Sequence, residues 1–199
     1  KHQELYQSFQ NYYASHQEDI RRQIIQRLLF HPLSLEPKKF MNHMALLDFP
    51  FHHYELIGCR HQSRNNSRSL KAELFISYVL EDCFTSVLGK SSLLYSHGNI
   101  LFCIVPLLQG QREYLDGLHD RLEQAMEDFA RQYHQRIKLG ISSTGSSLPE
   151  LDQLREQVTI CLNYPQMQSE VAVYYEDLPI SFNKLLTVNS EISTIIHLL

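Results

Sequence analysis

The chain has 199 residues, 43% of them hydrophobic and 20% charged, which is enough apolar material for a packed core and too much for a disordered tail. Its formal charge of −4 and pI near 6.3 speak against a domain that binds nucleic acid by itself, since such proteins carry a net basic face. No apolar run approaches the roughly twenty residues that a membrane helix needs, so no membrane contact is expected within this stretch.

The first residues, Lys1-His2-Gln3, fall inside a helical pattern and not a secretory leader, as expected of a fragment of a longer protein. From Leu5 to Leu29, apolar residues recur at Leu5, Phe9, Tyr12, Ile20, Ile24 and Leu28, with His16 on the same line, which predicts one long helix with a single apolar stripe. Its other face is polar at Gln7, Gln10, Gln17, Glu18, Arg21 and Arg22, so the stripe must lie on the domain, on a twin helix, or on both in succession. We expect Leu5, Phe9, Tyr12, Ile20, Ile24 and Leu28 to form a dimerisation seam. Their average spacing is longer than the roughly 3.5 residues of a left-handed coiled coil, which predicts a short contact between helices that then diverge. His31-Pro32 stops the helix; Ser34 and Pro37 open a short second one with Phe40, Met44 and Leu47 on its face, closed before Pro50.

Tyr54 to Cys59 reads as a strand, and the polar run from Arg60 to Arg68 as a loop. Leu70 to Leu88 is a helix with apolar residues at Leu70, Leu74, Tyr78, Leu80, Cys83, Phe84 and Val87, and Gly89 is placed to cap it. Two apolar runs then flank Gly98-Asn99, a pair suited to the positive φ angles of a tight hairpin between Leu93 and Leu108. Arg112 to Tyr133 is the clearest helix, carrying Leu115, Leu118, Leu122, Ala125, Met126, Phe129 and Tyr133 on one side. Arg136 to Ser142 alternates as a strand with Ile137, Leu139 and Ile141 on one face. Ser147-Leu148-Pro149-Glu150 reads as a capping box, the serine accepting from first-turn amides and Glu150 reaching back, ahead of a helix through Leu151, Leu154, Val158 and Cys161. Val171 to Tyr175 is the last strand, and a helical end from Glu191 to Leu199 lacks a stop signal, as though the parent protein continues.

The order strand, helix, hairpin, helix, strand, helix, strand predicts an α/β sandwich of the split-βαβ type, an α+β arrangement with helices packed on a mostly antiparallel sheet. Three parts are expected: a signalling and dimerisation helix at 1–32, the sandwich at 33–178, and a linker at 179–199. Cys59, Cys83, Cys103 and Cys161 are widely spaced in apolar surroundings and read as reduced core thiols. His43, His52, His53 and His61 follow no ligand spacing, and no GxSxG, HExxH, Walker or CxxC pattern is present, so no catalytic residue, cofactor or metal is expected. Arg60, Arg64, Arg68 and Lys71 read as a solvated loop in preference to a phosphate grip, since aromatic interleaving is absent. Ser142 to Ser147 precede a helix N-terminus where an anion could settle, but turn and cap chemistry explains each of them.

The hairpin resembles the active-site hairpin of the GGDEF family of diguanylate cyclases, in which Gly-Gly-Asp-Glu-Phe is followed by a short apolar strand and a proline. Here His97, Gly98, Asn99, Ile100 and Leu101 stand in place of that signature, and Phe102 to Pro106 match the strand after it. Ile137-Lys138-Leu139-Gly140-Ile141-Ser142 is similar to the family's fourth strand, Leu151 to Leu162 to its next helix, and Val173 to Leu178 to its following strand and exit. With Ile24 to Leu29 ahead, the layout resembles the central regions of AraC-type and PucR/CdaR-type bacterial regulators, where a degenerate GGDEF-like module lies between a sensor and a helix-turn-helix.

A working diguanylate cyclase holds magnesium with an aspartate at the end of its first strand and an acid of the hairpin, because a hard cation on a triphosphate needs carboxylate oxygens. The stretch from Glu55 to Arg60 has no aspartate, Glu55 lies near the strand's beginning, and the hairpin offers only His97 and Asn99. The resemblance therefore implies a non-catalytic relay: a cytoplasmic homodimer coupling an upstream sensor, membrane-anchored or not, to a DNA-binding domain outside this chain. A second reading makes it a sensor that binds a small-molecule effector in the vestigial nucleotide cleft.

Overall fold

The computed structural model describes residues 16, 17, 19–30, 47, 49, 53–63, 70–107, 112–165 and 171–179, with the backbone alone at 112–116. Nine elements follow in order: helix α1 (19–30), strand β1 (Tyr54–Ser63), helix α2 (Leu70–Leu88), strands β2 (Leu93–His97) and β3 (Ile100–Pro106), helix α3 (Arg112–Tyr133), strand β4 (Gln135–Gly145), helix α4 (Glu150–Asn163) and strand β5 (Ala172–Tyr174). A single 3₁₀ turn, Tyr175–Asp177, closes the described chain. Leu5, Phe9, Tyr12, Phe40, Met44, Leu115 as a side chain, and the stretch from Glu191 to Leu199 expected to be helical lie outside the described residues; of the stretch expected to form one long first helix, residues 16, 17 and 19–30 are described, and they are helical.

The five strands form one mixed sheet in the order β2-β3-β1-β4-β5. β3 runs antiparallel to both β1 and β2, β4 is antiparallel to β1, and β5 joins β4 in parallel. β1 and β2 are thus parallel, linked through α2 and split by β3, which is the expected split-βαβ arrangement.

Alternation along the strands divides the core between two faces. Leu56, Phe102 and Ile104 meet Ile24, Ile25, Leu28 and Leu29 of α1 and Leu151, Leu154 and Val158 of α4. On the other face Ile57, Cys59, Leu101, Cys103, Leu139 and Ile141 meet Ile76, Leu80 and Phe84 of α2 and Leu118, Leu122 and Met126 of α3. Both faces are covered, so helix layers enclose the sheet.

Four expectations are corrected in detail. The strand that reads as ending at Cys59 runs on to Ser63, because the polar residues Arg60 to Ser63 are paired with β4 from Lys138 back to Gln135. In the hairpin only Gly98 takes a left-handed conformation, φ +59°, and Asn99 does not, the Gly-first pattern of a type II′ turn. At α4 the hydroxyl of Ser147 donates to Glu150 (2.6 Å) instead of accepting from the helix, while the Glu150 carboxylate accepts from the Ser146 amide at 2.9 Å. Finally, the inner side of α2 is Ile76, Leu80, Phe84 and Leu88, whereas Leu70, Leu74 and Tyr78 are exposed. Gly89 does cap that helix, at φ +84° with its amide on the Thr85 carbonyl.

Candidate functional site: the hairpin tip and its cavity

His97, Gly98 and Asn99 form the exposed tip of the β2–β3 hairpin, with His97 paired to Ile100 and the Asn99 carbonyl accepting from the His61 amide at 3.1 Å. The tip is therefore tied to the far end of β1. Leu101 is buried on the α2–α3 side and Ile100 packs at the edge of the opposite cluster. His97 turns toward α1: its ring lies 4.8 Å from that of Phe30 and stacks over Tyr95 at 6.5 Å. Phe30 also meets Tyr95 and Phe102 edge-on, and the Arg155 guanidinium sits 5.6 Å from its ring.

On the opposite side of the hairpin lies a cavity of about 420 Å³ lined by His61, Gln62, Glu73, Ile76, Ser77, Gly98, Asn99 and Gln135. Its polar groups are mostly amides and a hydroxyl, with Glu73 as the carboxylate in the lining. Burial holds the His61 imidazole below its ordinary pKa of 6.5, and Glu73 opposes that shift. Among the described lining residues Glu73 is the one carboxylate, and beside the His61 imidazole it can orient a small polar molecule.

Glu55 is remote from this cavity, at the opposite end of β1 and about 20 Å away by strand rise. It lies beside a β-bulge between Glu55 and Ile57, where the freed Leu56 amide donates to the Ser142 hydroxyl at 3.0 Å. Its carboxylate accepts from His119 Nε2 at 2.7 Å, with side chains 7% and 11% exposed. The His119 ring lies 5.3 Å from Tyr174, whose hydroxyl donates to Glu123 at 2.5 Å. Sequence reasoning missed this buried pair: nothing in a lone glutamate on one strand and a histidine on a distant helix signals their meeting.

The other candidates are absorbed by the fold. Ser143 donates through its amide and hydroxyl to Gln157, and Ser146 and Ser147 donate to Glu150, so the serine-rich turn carries its own acceptor where an anion would sit. Arg60 is a strand residue whose guanidinium donates to Leu162 O and Asn163 Oδ1, each at 3.1 Å, and Lys138 donates to Tyr164 O. Arg64 and Arg68 lie outside the described residues. Of the residues expected to form a dimerisation seam, Ile24 and Leu28 are 5% and 0% exposed inside the domain's own core and Ile20 packs against it, while Leu5, Phe9 and Tyr12 lie outside the described residues. All four cysteines are free; burial pushes the Cys161 thiol up to about 11, and those of Cys59 and Cys103 higher still.

Between α1 and α2 a second cleft, of about 390 Å³, is edged by Arg21, Arg22, Tyr78, Glu81, Asp82 and Lys90. Arg22 and Glu81 bridge it at 3.5 Å. Among the described residues no group of three or more histidines, cysteines or acids is placed to hold a metal ion, and no helix is long and apolar enough to cross a membrane. No protein-family model matches the chain, and neither does any curated protein.

Proposed function

We propose that this chain is a non-catalytic relay and dimerisation module of a bacterial transcription regulator of the AraC type, built on a degenerate GGDEF-like domain and working in the cytoplasm. It couples an upstream sensor to a downstream helix-turn-helix. The observation that supports this reading most is the contact of Phe30, at the end of α1, with Tyr95, His97 and Phe102 of the hairpin. A displacement of α1 is felt at once by the hairpin, because a packed aromatic cluster does not deform gradually. The same hairpin lacks the acids that cyclase chemistry needs.

Two measurements test the reading. Isothermal titration with GTP and magnesium should give no binding, and micromolar affinity or any cyclic dinucleotide product would refute the non-catalytic part. Hydrogen exchange should show the amides of Tyr95 to His97 losing protection in Phe30→Ala; unchanged protection there would remove the coupling. The second reading, a sensor for a small effector, is favoured by the cavity beside Gly98 and Asn99. It becomes the better one if a metabolite screen finds a ligand whose binding is lost in Asn99→Ala.

A further inference from the structure

Among the described residues the exposed large hydrophobics are Leu70, Leu74, Phe75 and Tyr78, at 72, 62, 56 and 70%, and all lie in the first half of α2. With about 100° of rotation per residue, Leu74 and Tyr78 stand about 160° to either side of Ile76, which is buried. They point away from the sheet, with Leu70 one turn upstream. Phe75 flanks the patch, its ring 6.4 Å from Tyr133. Lys71 stands beside Leu70 at the start of the patch on the same outward side, and Glu81 and Asp82 follow the patch.

We propose that this face pairs with the same face of a second copy, the two α2 helices running antiparallel about a twofold axis at the level of Ile76. The proposal rests on the dimerisation part of the functional reading and places the seam on α2 in place of Ile24 and Leu28. In this register Leu74 of each copy packs on Tyr78 of the other, and Lys71 of each comes level with Glu81 and Asp82 of the other. Glu81 already accepts from Ser96 at 2.7 Å, which leaves the exposed Asp82 as the main partner for Lys71. A parallel pairing would set Lys71 against Lys71 and Asp82 against Asp82. Opposite charges at the two ends of an apolar centre select an isologous, antiparallel second copy as the occupant. The four side chains expose roughly 500 Å² per copy. That is below the roughly 800 Å² per partner of a stable complex, so the dimer is weak and depends on concentration.

Sedimentation of the 199-residue chain tests this. A reversible monomer–dimer equilibrium is expected, weakened on the order of 100-fold by Leu74→Glu and about tenfold by Lys71→Glu, with Lys71→Glu/Asp82→Lys restoring it. Circular dichroism of Leu74→Glu should match the parent, because the replaced side chain is exposed. A dimer indifferent to Leu74→Glu but broken by Phe9→Glu overturns the α2 seam while the dimerisation reading stands. A chain that stays monomeric at about 1 mM overturns both, and leaves the relay to be judged by hydrogen exchange alone. A monomer that loses thermal stability in Leu74→Glu shows that another segment of the same chain covers the face, which also overturns the proposal.

Discussion

Glu55 and His119 meet inside the protein, and the consequence is mostly one of what their loss would cost. Two ionisable groups with side chains only 7% and 11% exposed have given up most of their hydration, and the 2.7 Å contact between them is what offsets that loss. Removing one partner therefore costs more than the pair contributes. Glu55→Ala should destabilise the fold by about 3–5 kcal/mol in urea unfolding, and Glu55→Gln, which still offers His119 an oxygen, by clearly less. Equal and small losses in both variants would mean that water already reaches the site. The pair is illegible in the sequence because its members are 64 residues apart and neither is distinguished by its neighbours. Only the bulge at Glu55 and the register of α3 bring them together.

At the scale of elements, α4 shows how two strands prepare a seat for a helix. Gly58 and Gly140 are directly paired across β1 and β4, and α4 descends onto them. A Cβ at Gly58 would stand 2.3 Å from Val158 Cγ1, and one at Gly140 would stand 2.9 Å from both Cys161 Cβ and Val158 O. Two residues further along the same face, Arg60 and Lys138 are paired as well, and both donate to the carbonyl end of the helix. Gly58→Ala should cost about 1–3 kcal/mol by overpacking. In the background of Val158→Ala the same change should cost less, so thermal denaturation of the double-mutant cycle reads out the contact; strict additivity would refute it. Helices α2, α3 and α4 are legible because each carries an apolar row over three or more turns. The end of β1 is not, because Arg60 to Ser63 are polar and owe their strand conformation to ladders supplied by β4 and by Asn99. The phase of α2 is misread for a related reason: Leu70, Leu74 and Tyr78 form a perfect helical row, but the row faces outward.

For the molecule as a whole, the deciding fact is that α1 belongs to the core. The sequence stripe is compatible with a helix lying on its domain, on a twin, or on both in succession, and composition offers no way to choose, since each buries the same side chains. The described half of the stripe lies on the domain: Ile24, Ile25, Leu28 and Leu29 share one buried cluster with Leu56, Phe102 and Ile104 of the sheet, with α4, and with Leu47 and Phe49. The boundary expected near residue 32 therefore divides a single hydrophobic cluster, and α1 and the sheet should unfold together. Leu28, with 0% exposure, is the most sensitive point of that junction. Leu28→Ala should destabilise the entire domain by about 2–5 kcal/mol, the range for emptying a buried leucine site, and should do so in one transition seen equally by circular dichroism and by hydrogen exchange in β3. If α1 instead melts first and leaves β3 protected, it is a separable lever docked on the domain, and a signal could pass through its release as well as through its displacement.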